Sequence, residues 1–254
     1  MSKLAPAKPN VELPPTQADL PCDDGIPMET QRHKAQMDML IDALSPWLIE
    51  RSDGYVGGNM FVYFSLAQVR NQDFRGPDFF AVLGVPKGER LSWVVWEEGK
   101  APDVVIELLS ESTAELDKNQ KKLIYQNQLR VSEYFWFDPF NPDDWAGFFL
   151  QHGIYQPLAA NAQEQLLSQS LGLALVRWQG NYKGIDATWL RWATLDGELL
   201  PTPQEIAAQE RLRADQAQSQ LRQVARNLLQ EGMTVEQVAR LTGLTETQVA
   251  QLGN

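Results

Sequence analysis

The 254-residue chain has little of several features that indicate a function directly. It contains a single cysteine, Cys22, and two histidines, which excludes a disulfide framework and a cysteine zinc site. Positive charge is also scarce, because 22 Lys and Arg residues face 33 Asp and Glu residues, for a formal net charge of −11. This balance argues against DNA binding by the bulk surface, although a local basic groove stays compatible with it.

Long hydrophobic runs are absent as well. No apolar stretch approaches the roughly 18 residues of a membrane-spanning helix, and the chain shows no signal-peptide pattern. We therefore expect a soluble, cytoplasmic protein without a membrane partner. The composition, 43% hydrophobic and 22% charged, is typical of a globular chain with one sizeable core plus appendages.

Four regions differ in composition along the chain. Residues 1–27 are rich in proline and predict a flexible arm. Residues 28–200 carry the periodic hydrophobic pattern of a folded domain. Residues 201–230, rich in Ala, Gln, Arg and Leu, predict a long helix or coiled-coil segment. Residues 231–254 predict a helix-turn-helix-like tail.

The pattern within residues 28–200 predicts an α/β domain whose mixed central sheet is flanked by helices. A first helix is predicted from Glu29 to about Pro46, and a second over residues 114–128. Residues 52–66, where glycines punctuate β-branched and aromatic residues, predict a hairpin. Further strands are predicted over residues 79–83, 91–96, 104–109, 134–137 and 148–150.

Glu107 lies within APDVVIELLS, a segment that is otherwise built for burial. Strand alternation places it on the face opposite Val104 and Ile106. A buried carboxylate costs several kcal/mol unless it is paired or bound to a cation. Asp78 precedes another apolar run in GPDFFAVLGV, so the two carboxylates could converge at one end of the sheet. Such oxygen ligands suit Mg²⁺, which keeps waters that can attack a phosphodiester.

A lysine follows in LDKNQKKLIYQNQ. In a helix, residues three and four apart share one side, which here collects Asp117, Lys121, Ile124, Tyr125 and Gln128. The apolar members should face the sheet and draw Lys121 inward. Its ammonium could then orient the attacking water or stabilise charge on the phosphorane. The neighbouring lysine at position 122 lies about 100° round and is predicted to face solvent.

Four blocks, GPDFF, PDVVIELLSEST, DKNQKKLIYQ and RVSEYFWFDP, together resemble the bacterial Uma-type family of the PD-(D/E)xK restriction-endonuclease-like superfamily. The blocks follow the order and spacing of that family over roughly residues 28–195. The resemblance implies a restriction-endonuclease-like mixed central sheet flanked by helices. In this chain, a long C-terminal helix and a helical hairpin are expected to follow that domain.

The resemblance also implies an activity, the hydrolysis of DNA by an endonuclease that depends on Mg²⁺ or Mn²⁺. Asp78 corresponds to the first metal ligand, Glu107 to the second, and the main-chain carbonyl of Leu108 to a third. The superfamily's lysine two residues after the glutamate is missing, because Leu109 stands there. The K-x-x-x-Y spacing assigns this role to Lys121. The implied catalytic residues are therefore Asp78, Glu107 and Lys121.

Each of these residues also has a structural interpretation. Asp78 and Asp103 both follow a proline, and Pro-Asp often only starts a strand or a turn. Asp103 shares the face of Glu107, so it either extends the acidic cluster or forms such a turn. Glu107 could form a structural salt bridge with Lys121. Taken jointly, the two carboxylates and the lysine favour the active site.

Three further features have weaker functional interpretations. In related folds a glutamate from the first helix joins the metal site, which makes Glu29 an extra candidate. His33, one turn later, is interpreted as a helix-surface or capping residue. The aromatic run at residues 134–137 is interpreted as strand core, although aromatic rings can also stack on nucleic-acid bases.

The tail, residues 231–252, has the pattern of a helix-turn-helix. Ala239, Gly243 and Val249 supply the small residue, the turn glycine and the buried β-branched residue, and Thr245 is a predicted N-cap. The second helix carries no Lys or Arg, and five Arg residues balance five acidic residues across 207–254. A DNA reader normally needs positive charge. We therefore interpret the tail as a packing or dimerising element of a homo-oligomer.

Two functions of different classes follow from the sequence. The first is a metal-dependent nuclease with DNA as its partner. The second is a catalytically weak or inactive binding or regulatory protein that keeps the fold and oligomerises through its C-terminal helices. The family motifs support the first function, whereas the acidic charge balance is compatible with the second. Resemblance of fold alone does not separate them.

Overall fold

The structure, a computed structural model, describes residues 14–22, 30–71 and 76–253. Two compact units meet in sequence between Leu200 and Pro201. The first unit is α/β and the second is helical. Within the described ranges, no helix is both long enough and apolar enough to cross a membrane.

The first unit begins with helix α1, followed by a series of strands and short helices. The helices are α1 (Gln31–Ile49), α2 (Leu66–Asn71) and α3 (Val95–Glu98). The strands are β1 (Tyr55–Gly57), β2 (Val62–Tyr63), β3 (Phe79–Val82), β4 (Trp93–Val94), β5 (Val104–Leu108), β6 (Glu133–Phe137), β7 (Trp145–Gln151), β8 (Ile154–Leu158), β9 (Leu166–Ser168), β10 (Leu173–Tyr182) and β11 (Ile185–Ala193).

A continuous helical segment, which we call the site helix, connects β5 to β6. It runs through a π-helical turn (Leu116–Lys121), the α-helical turn α4 (Lys122–Ile124) and a second π-helical turn (Tyr125–Leu129). Parallel strands require a crossover of this kind, and β5 and β6 are parallel. The single helix predicted over residues 114–128 is therefore confirmed, with a different internal geometry.

The central sheet has the described strands in the order β1-β3-β5-β6-β7-β8. The β5–β6 pair is parallel and the other neighbours are antiparallel. Strands β9, β10 and β11 form a second sheet, and β2 pairs with β4. The predicted mixed central sheet with flanking helices is confirmed.

Strand β5 has the two faces that its sequence predicts. Val104, Ile106 and Leu108 belong to the core cluster that contains the buried face of α1. Val105 belongs to the opposite cluster, which includes residues of the site helix. Glu107 shares the face of Val105, because side chains alternate along a strand. Its carboxylate is therefore directed towards the site helix.

The hairpin predicted over residues 52–66 is wrong. Strand β1 pairs with β3, and β2 pairs with β4 in a different sheet. Between them the chain passes beside Pro77, where the main-chain N–H of Asn59 donates to the Pro77 carbonyl at 3.0 Å. Asn59 adopts a positive φ of 47°. The glycine-rich turn therefore redirects the chain towards Pro77 instead of joining two paired strands.

Two predicted boundaries are also wrong. Of the strand predicted over residues 91–96, only Trp93–Val94 pairs, and the chain then forms α3. Gly99, with a φ of 73°, ends α3 in the left-handed conformation that glycine favours. Helix α1 continues through Pro46 to Ile49. Because Leu48 is buried in the core, its packing outweighs the missing proline N–H.

Part of the proline-rich segment at the N-terminus contacts the first unit. Within the described residues 14–22, Leu20 is buried in a cluster with Phe61 and Val94. The Tyr63 hydroxyl donates to the Pro21 carbonyl at 2.6 Å. This stretch of the predicted flexible arm therefore packs on the domain.

The second unit is a helical bundle formed by α5 (Pro203–Gln230), α6 (Val235–Thr242) and α7 (Glu246–Leu252). Each helix begins at a threonine whose side chain and N3 partner form a reciprocal capping box. Ala225, Val238 and Val249, one from each helix, are fully buried together. The long helix, the helical hairpin and the Thr245 N-cap are confirmed.

Candidate active site

Two carboxylates meet at one end of the central sheet. The antiparallel register of β3 and β5 sets Phe79 opposite Ile106, so Asp78 stands opposite Glu107 one position beyond the ladder. Directly opposed residues project from the same face of a sheet. Asp78 Oδ2 also accepts a hydrogen bond of 2.7 Å from the main-chain N–H of Leu108. The structure therefore brings together the two predicted carboxylates.

Glu107 is fully buried and both of its oxygens have partners. The Tyr125 hydroxyl donates to Oε1 at 2.6 Å. The Lys121 ammonium donates to Oε2 at 3.0 Å. The two donors lie four residues apart on the site helix. The contact with Lys121 is the salt bridge that the sequence raised as a structural interpretation.

The amine of Lys121 lies between two buried acids. Its Nζ is 2.7 Å from Asp117 Oδ1, in addition to its contact with Glu107. Asp117 is only 1% exposed. The Tyr134 hydroxyl donates to the main-chain carbonyl of Asp117 at 2.9 Å and so ties the first turn of the site helix to β6. The inward position of Lys121 agrees with the helical pattern.

The π-helical turns change which residues of the site helix face the sheet. Ile124 and Tyr125 are buried as predicted, but Gln128 is exposed and Leu129 is buried in its place. A π turn closes hydrogen bonds five residues apart, so the buried position moves one residue further along. Lys122 does not simply extend into solvent, because its Nζ lies 3.3 Å from the centroid of the Phe148 ring.

Burial and mutual repulsion change the acidity of this cluster. Burial raises the pKa of Asp78 to about 6, against the opposing effect of Lys121. Burial likewise raises the pKa of Glu107 to about 7, with Lys121 opposing and the charge of Asp78 adding to the rise. The pKa of Asp117 is raised by burial and by Glu107. Burial works to lower the pKa of Lys121, but its carboxylate neighbours outweigh that effect and raise it. Three carboxylates and one ammonium would carry a net charge of −2 when all are ionised.

A hard divalent cation could be held here by Asp78, Glu107 and the main chain of Leu108. Asp78 and Glu107 offer carboxylate oxygens from adjacent strands. Because the Leu108 N–H points to Asp78, the Leu108 carbonyl lies on the same side of β5. An all-oxygen set of this size suits Mg²⁺, which keeps several waters. Within residues 14–22, 30–71 and 76–253, no group of three or more His, Cys, Asp or Glu side chains forms a metal cluster.

Asp103 does not extend the acidic cluster. It lies just before β5, at the opposite end of the strand from Leu108. Its Oδ2 accepts hydrogen bonds from the Leu83 N–H and the Lys100 ammonium, both at 2.8 Å. Asp103 is therefore a structural residue that joins the start of β5 to the end of β3.

Of the two further candidates on the first helix, Glu29 lies outside the described residues. His33 is only 3% exposed, so its interpretation as a surface residue is wrong. One ring nitrogen lies 2.8 Å from the hydroxyl of the N-cap Thr30 and the other 2.9 Å from the Leu109 carbonyl. The ring joins the start of α1 to the end of β5. The predicted capping role agrees with the contact to the N-cap Thr30.

Sequence reasoning assigned Asp117 no role, although helical spacing placed it on the side of Lys121. The available signal was the spacing of four residues between an acid and a lysine in a predicted helix. That spacing is common on solvent-exposed helices, where such pairs contribute little. Only the packing of the site helix on the sheet shows that this pair is buried.

Gly58 packs closely against the main chain of Asp78, where a side chain would not fit. A Cβ at residue 58 would overlap the Asp78 main-chain carbonyl and would lie 2.9 Å from the Met37 side chain. We expect Gly58→Ala to lower the free energy of unfolding by about 1–3 kcal/mol, because the backbone must shift. Gly88→Ala is the control, since a Cβ there meets only the Arg90 guanidinium at 3.9 Å. Urea unfolding of both variants tests this, and equal stabilities would contradict it.

A mixed sheet with two facing carboxylates at adjacent strands, and a lysine supplied by the crossover helix, defines a restriction-endonuclease-like α/β domain. Residues 15–182 match the Uma2 family, described as "Putative restriction endonuclease". Because the match spans more than half of the chain, the chain belongs to the Uma2 family. The family resemblance of the sequence blocks is thereby confirmed.

The C-terminal region matches a second family. Residues 218–254 match the family described as "Rpn/YhgA-like nuclease family, C-terminal HTH domain". This match covers the end of α5 together with α6 and α7. The helix-turn-helix pattern of the tail is thereby confirmed.

Among solved structures, the chain is similar to a protein from Anabaena variabilis described as "a putative nuclease belonging to DUF820". The two share 16% sequence identity, with a TM-score of 0.42. The alignment covers 62% of this chain and 91% of that one. No curated protein gives a significant match to this chain.

Proposed function

We propose that this protein is a Mg²⁺-dependent endonuclease that hydrolyses DNA, with Mn²⁺ able to replace Mg²⁺. One observation carries the proposal: Asp78 and Glu107 face each other on adjacent strands, and the Lys121 ammonium lies 3.0 Å from Glu107. Asp78, Glu107 and the Leu108 carbonyl would hold the cation. The descriptions of the matched families support a nuclease.

Each residue around the carboxylates has a distinct task in this proposal. A bound Mg²⁺ would supply positive charge for the phosphate and acidify a water molecule. Lys121 would orient the attacking water by a hydrogen bond or stabilise the charge that develops on the phosphate oxygens. Tyr125 fixes Glu107 through the hydrogen bond to Oε1. Asp117 holds the Lys121 amine, so that the ammonium stays directed into the site.

The proposed substrate is DNA, and we assign its binding to the first unit, because the second helix of the tail carries no Lys or Arg. The first unit contains the carboxylates and Lys121, while the tail matches a domain described for nucleases. The overall acidity and the neutral tail argue against strong nonspecific binding. We therefore expect DNA to bind weakly without the divalent cation, measurably only at low salt, and more tightly with it.

The proposal is tested by cleavage of plasmid and single-stranded DNA with Mg²⁺, with Mn²⁺ and with a chelator. We expect cleavage only with the metal ions, and a loss of about a hundredfold or more in Asp78→Asn and Glu107→Gln. Asp143→Asn is the control, since that carboxylate is 92% exposed. Cleavage that survives both substitutions would exclude this site.

A second candidate function is a binding or regulatory protein with little turnover. It is favoured by the ion pair and the tyrosine hydrogen bond, which satisfy both Glu107 oxygens without a cation. Absence of both cleavage and Mn²⁺ binding, measured by calorimetry on the folded chain, would support this function and exclude the nuclease.

We also propose that copies of the chain associate through the C-terminal helices. Residues 207–220 of α5 are exposed along their whole length, and Leu212 is 58% exposed. A long helix with apolar residues open to solvent is typical of a helix-pairing surface. Sedimentation velocity of the full chain and of Leu212→Ser tests this. We expect a dimer that weakens in the variant, and a monomeric full chain would contradict the proposal.

A further inference from the structure

A cavity of about 600 Å³ opens at the edge of the central sheet where the parallel strands β5 and β6 end. Ser110, just after β5, and Asp138, just after β6, both line it. Ligands of α/β proteins commonly bind in a crevice outside the carboxyl ends of such strands. Glu107 precedes Ser110 by three residues, a distance of about 10 Å along the strand. The cavity is therefore lined by the segment that directly follows the Glu107 strand.

One wall of the cavity is an aromatic ring held in place. Phe140 lines the cavity and is 58% exposed. Asp138 Oδ1 accepts hydrogen bonds from the main-chain N–H groups of Phe140 (2.7 Å) and Asn141 (3.1 Å), which fix the loop. The Arg32 guanidinium lies over one face of the ring, 4.8 Å from its centroid, and the His33 ring packs against it at a centroid distance of 5.7 Å, which leaves the remaining exposed part of the ring for a base. An exposed ring beside a cation matches how proteins hold single-stranded nucleic acid, with bases stacked and phosphates neutralised.

The lining also supplies hydrogen-bond acceptors. Glu111 and Ser110 line the cavity together with His33. Both His33 ring nitrogens already have partners, Thr30 and the Leu109 carbonyl, so this ring acts as a wall. A carboxylate accepts hydrogen bonds from an exocyclic amine such as cytosine N4. Thymine has no such amine, and its two carbonyl oxygens would repel a carboxylate.

We propose that this cavity binds a nucleobase carrying an exocyclic amine, stacked on Phe140 and recognised by Glu111. The base belongs to the DNA strand cut at Asp78 and Glu107, so the inference rests on the proposed function for its position. It adds a base preference to that function: cytosine is bound in preference to thymine near the cut.

The test is fluorescence anisotropy of the full chain with short labelled oligo-dC and oligo-dT, in chelator and at low salt. We expect oligo-dC to bind more tightly than oligo-dT. Phe140→Ala should weaken oligo-dC binding by about tenfold, the value of one lost stacking contact. Ile154→Ala, which removes another side chain that is 58% exposed, is the matched control and should bind like the parent protein. Thermal unfolding checks that all variants are folded.

A second variant tests the recognition of the base. Glu111→Gln can donate as well as accept, so the preference for oligo-dC over oligo-dT should disappear. Equal binding by Phe140→Ala and Ile154→Ala would overturn the proposal, as would equal affinity of the parent protein for the two oligonucleotides. Cleavage is assayed separately with Mg²⁺. If the protein cleaves DNA but Phe140→Ala binds normally, the nuclease proposal holds and the base-binding cavity is excluded. If binding depends on the base but no cleavage occurs, the cavity proposal holds and the nuclease is excluded.

Discussion

Replacing Lys121 with alanine is expected to lower the free energy of unfolding of the metal-free protein by about 3–5 kcal/mol at pH 8. The amine contacts Glu107 and Asp117, which are 0% and 1% exposed. Removing one partner of a buried ion pair leaves an uncompensated charge, and such losses reach this size. Here one substitution removes the partner of two carboxylates. Urea unfolding monitored by circular dichroism measures the difference.

Lys122→Ala is the matched control for this prediction. Its ammonium contacts the Phe148 ring and pairs with no carboxylate in the described part of the chain, so its removal should cost about 0.5–1 kcal/mol. The cost of Lys121→Ala should also shrink below pH 5, because Glu107, with a pKa of about 7, is then protonated. Similar losses in the two variants at pH 8 would show that the buried carboxylates do not depend on Lys121.

Asp78→Asn is expected to stabilise the metal-free protein at pH 8 by about 2–3 kcal/mol. Burial raises the pKa of Asp78 from 3.8 to about 6, so the folded state disfavours the ionised form. Between these values the folded protein binds more protons than the unfolded chain, and the free energy of unfolding falls as pH rises. A rise of this size corresponds to about 3 kcal/mol. Asparagine avoids the cost and can still accept the Leu108 N–H.

The pH dependence and the metal dependence make this prediction specific. Near pH 4 the two proteins should differ little, because the carboxyl group is then largely protonated. Adding Mg²⁺ at pH 8 should stabilise the parent protein more than Asp78→Asn, because a ligand that binds only the folded state stabilises it. Asp143→Asn, at a 92% exposed position, should follow the parent protein throughout. A variant that is no more stable than the parent at pH 8 would contradict the prediction.

The expected effects of Lys121→Ala and Asp78→Asn have the same cause, the burial of charged carboxylates. The carboxylates are costly to bury, and Lys121 offsets only part of that cost. Active-site arrangements often lower the stability of the folded protein and are retained because catalysis requires them. A variant that gains stability while losing cleavage would therefore be the expected behaviour of an active site. A purely structural salt bridge would lose stability with either substitution.

Some of the candidate site was predictable from local sequence. Alternation along β5 placed Glu107 opposite Val104 and Ile106. Helical spacing placed Lys121 on the side of Ile124 and Tyr125. The prediction failed at Gln128, which was expected on the inner side of the helix. The second π-helical turn places this residue in solvent.

The sequence by itself determined which residues share a face, because alternation and helical periodicity repeat with fixed local geometry. Only the tertiary structure decided which faces meet. Three features depend on pairing between distant segments: the register that sets Asp78 opposite Glu107, the separate partners of β1 and β2, and the burial of Asp117 on the inner side of the site helix. Many such pairings satisfy the same local pattern, and the packing of the whole core selects among them.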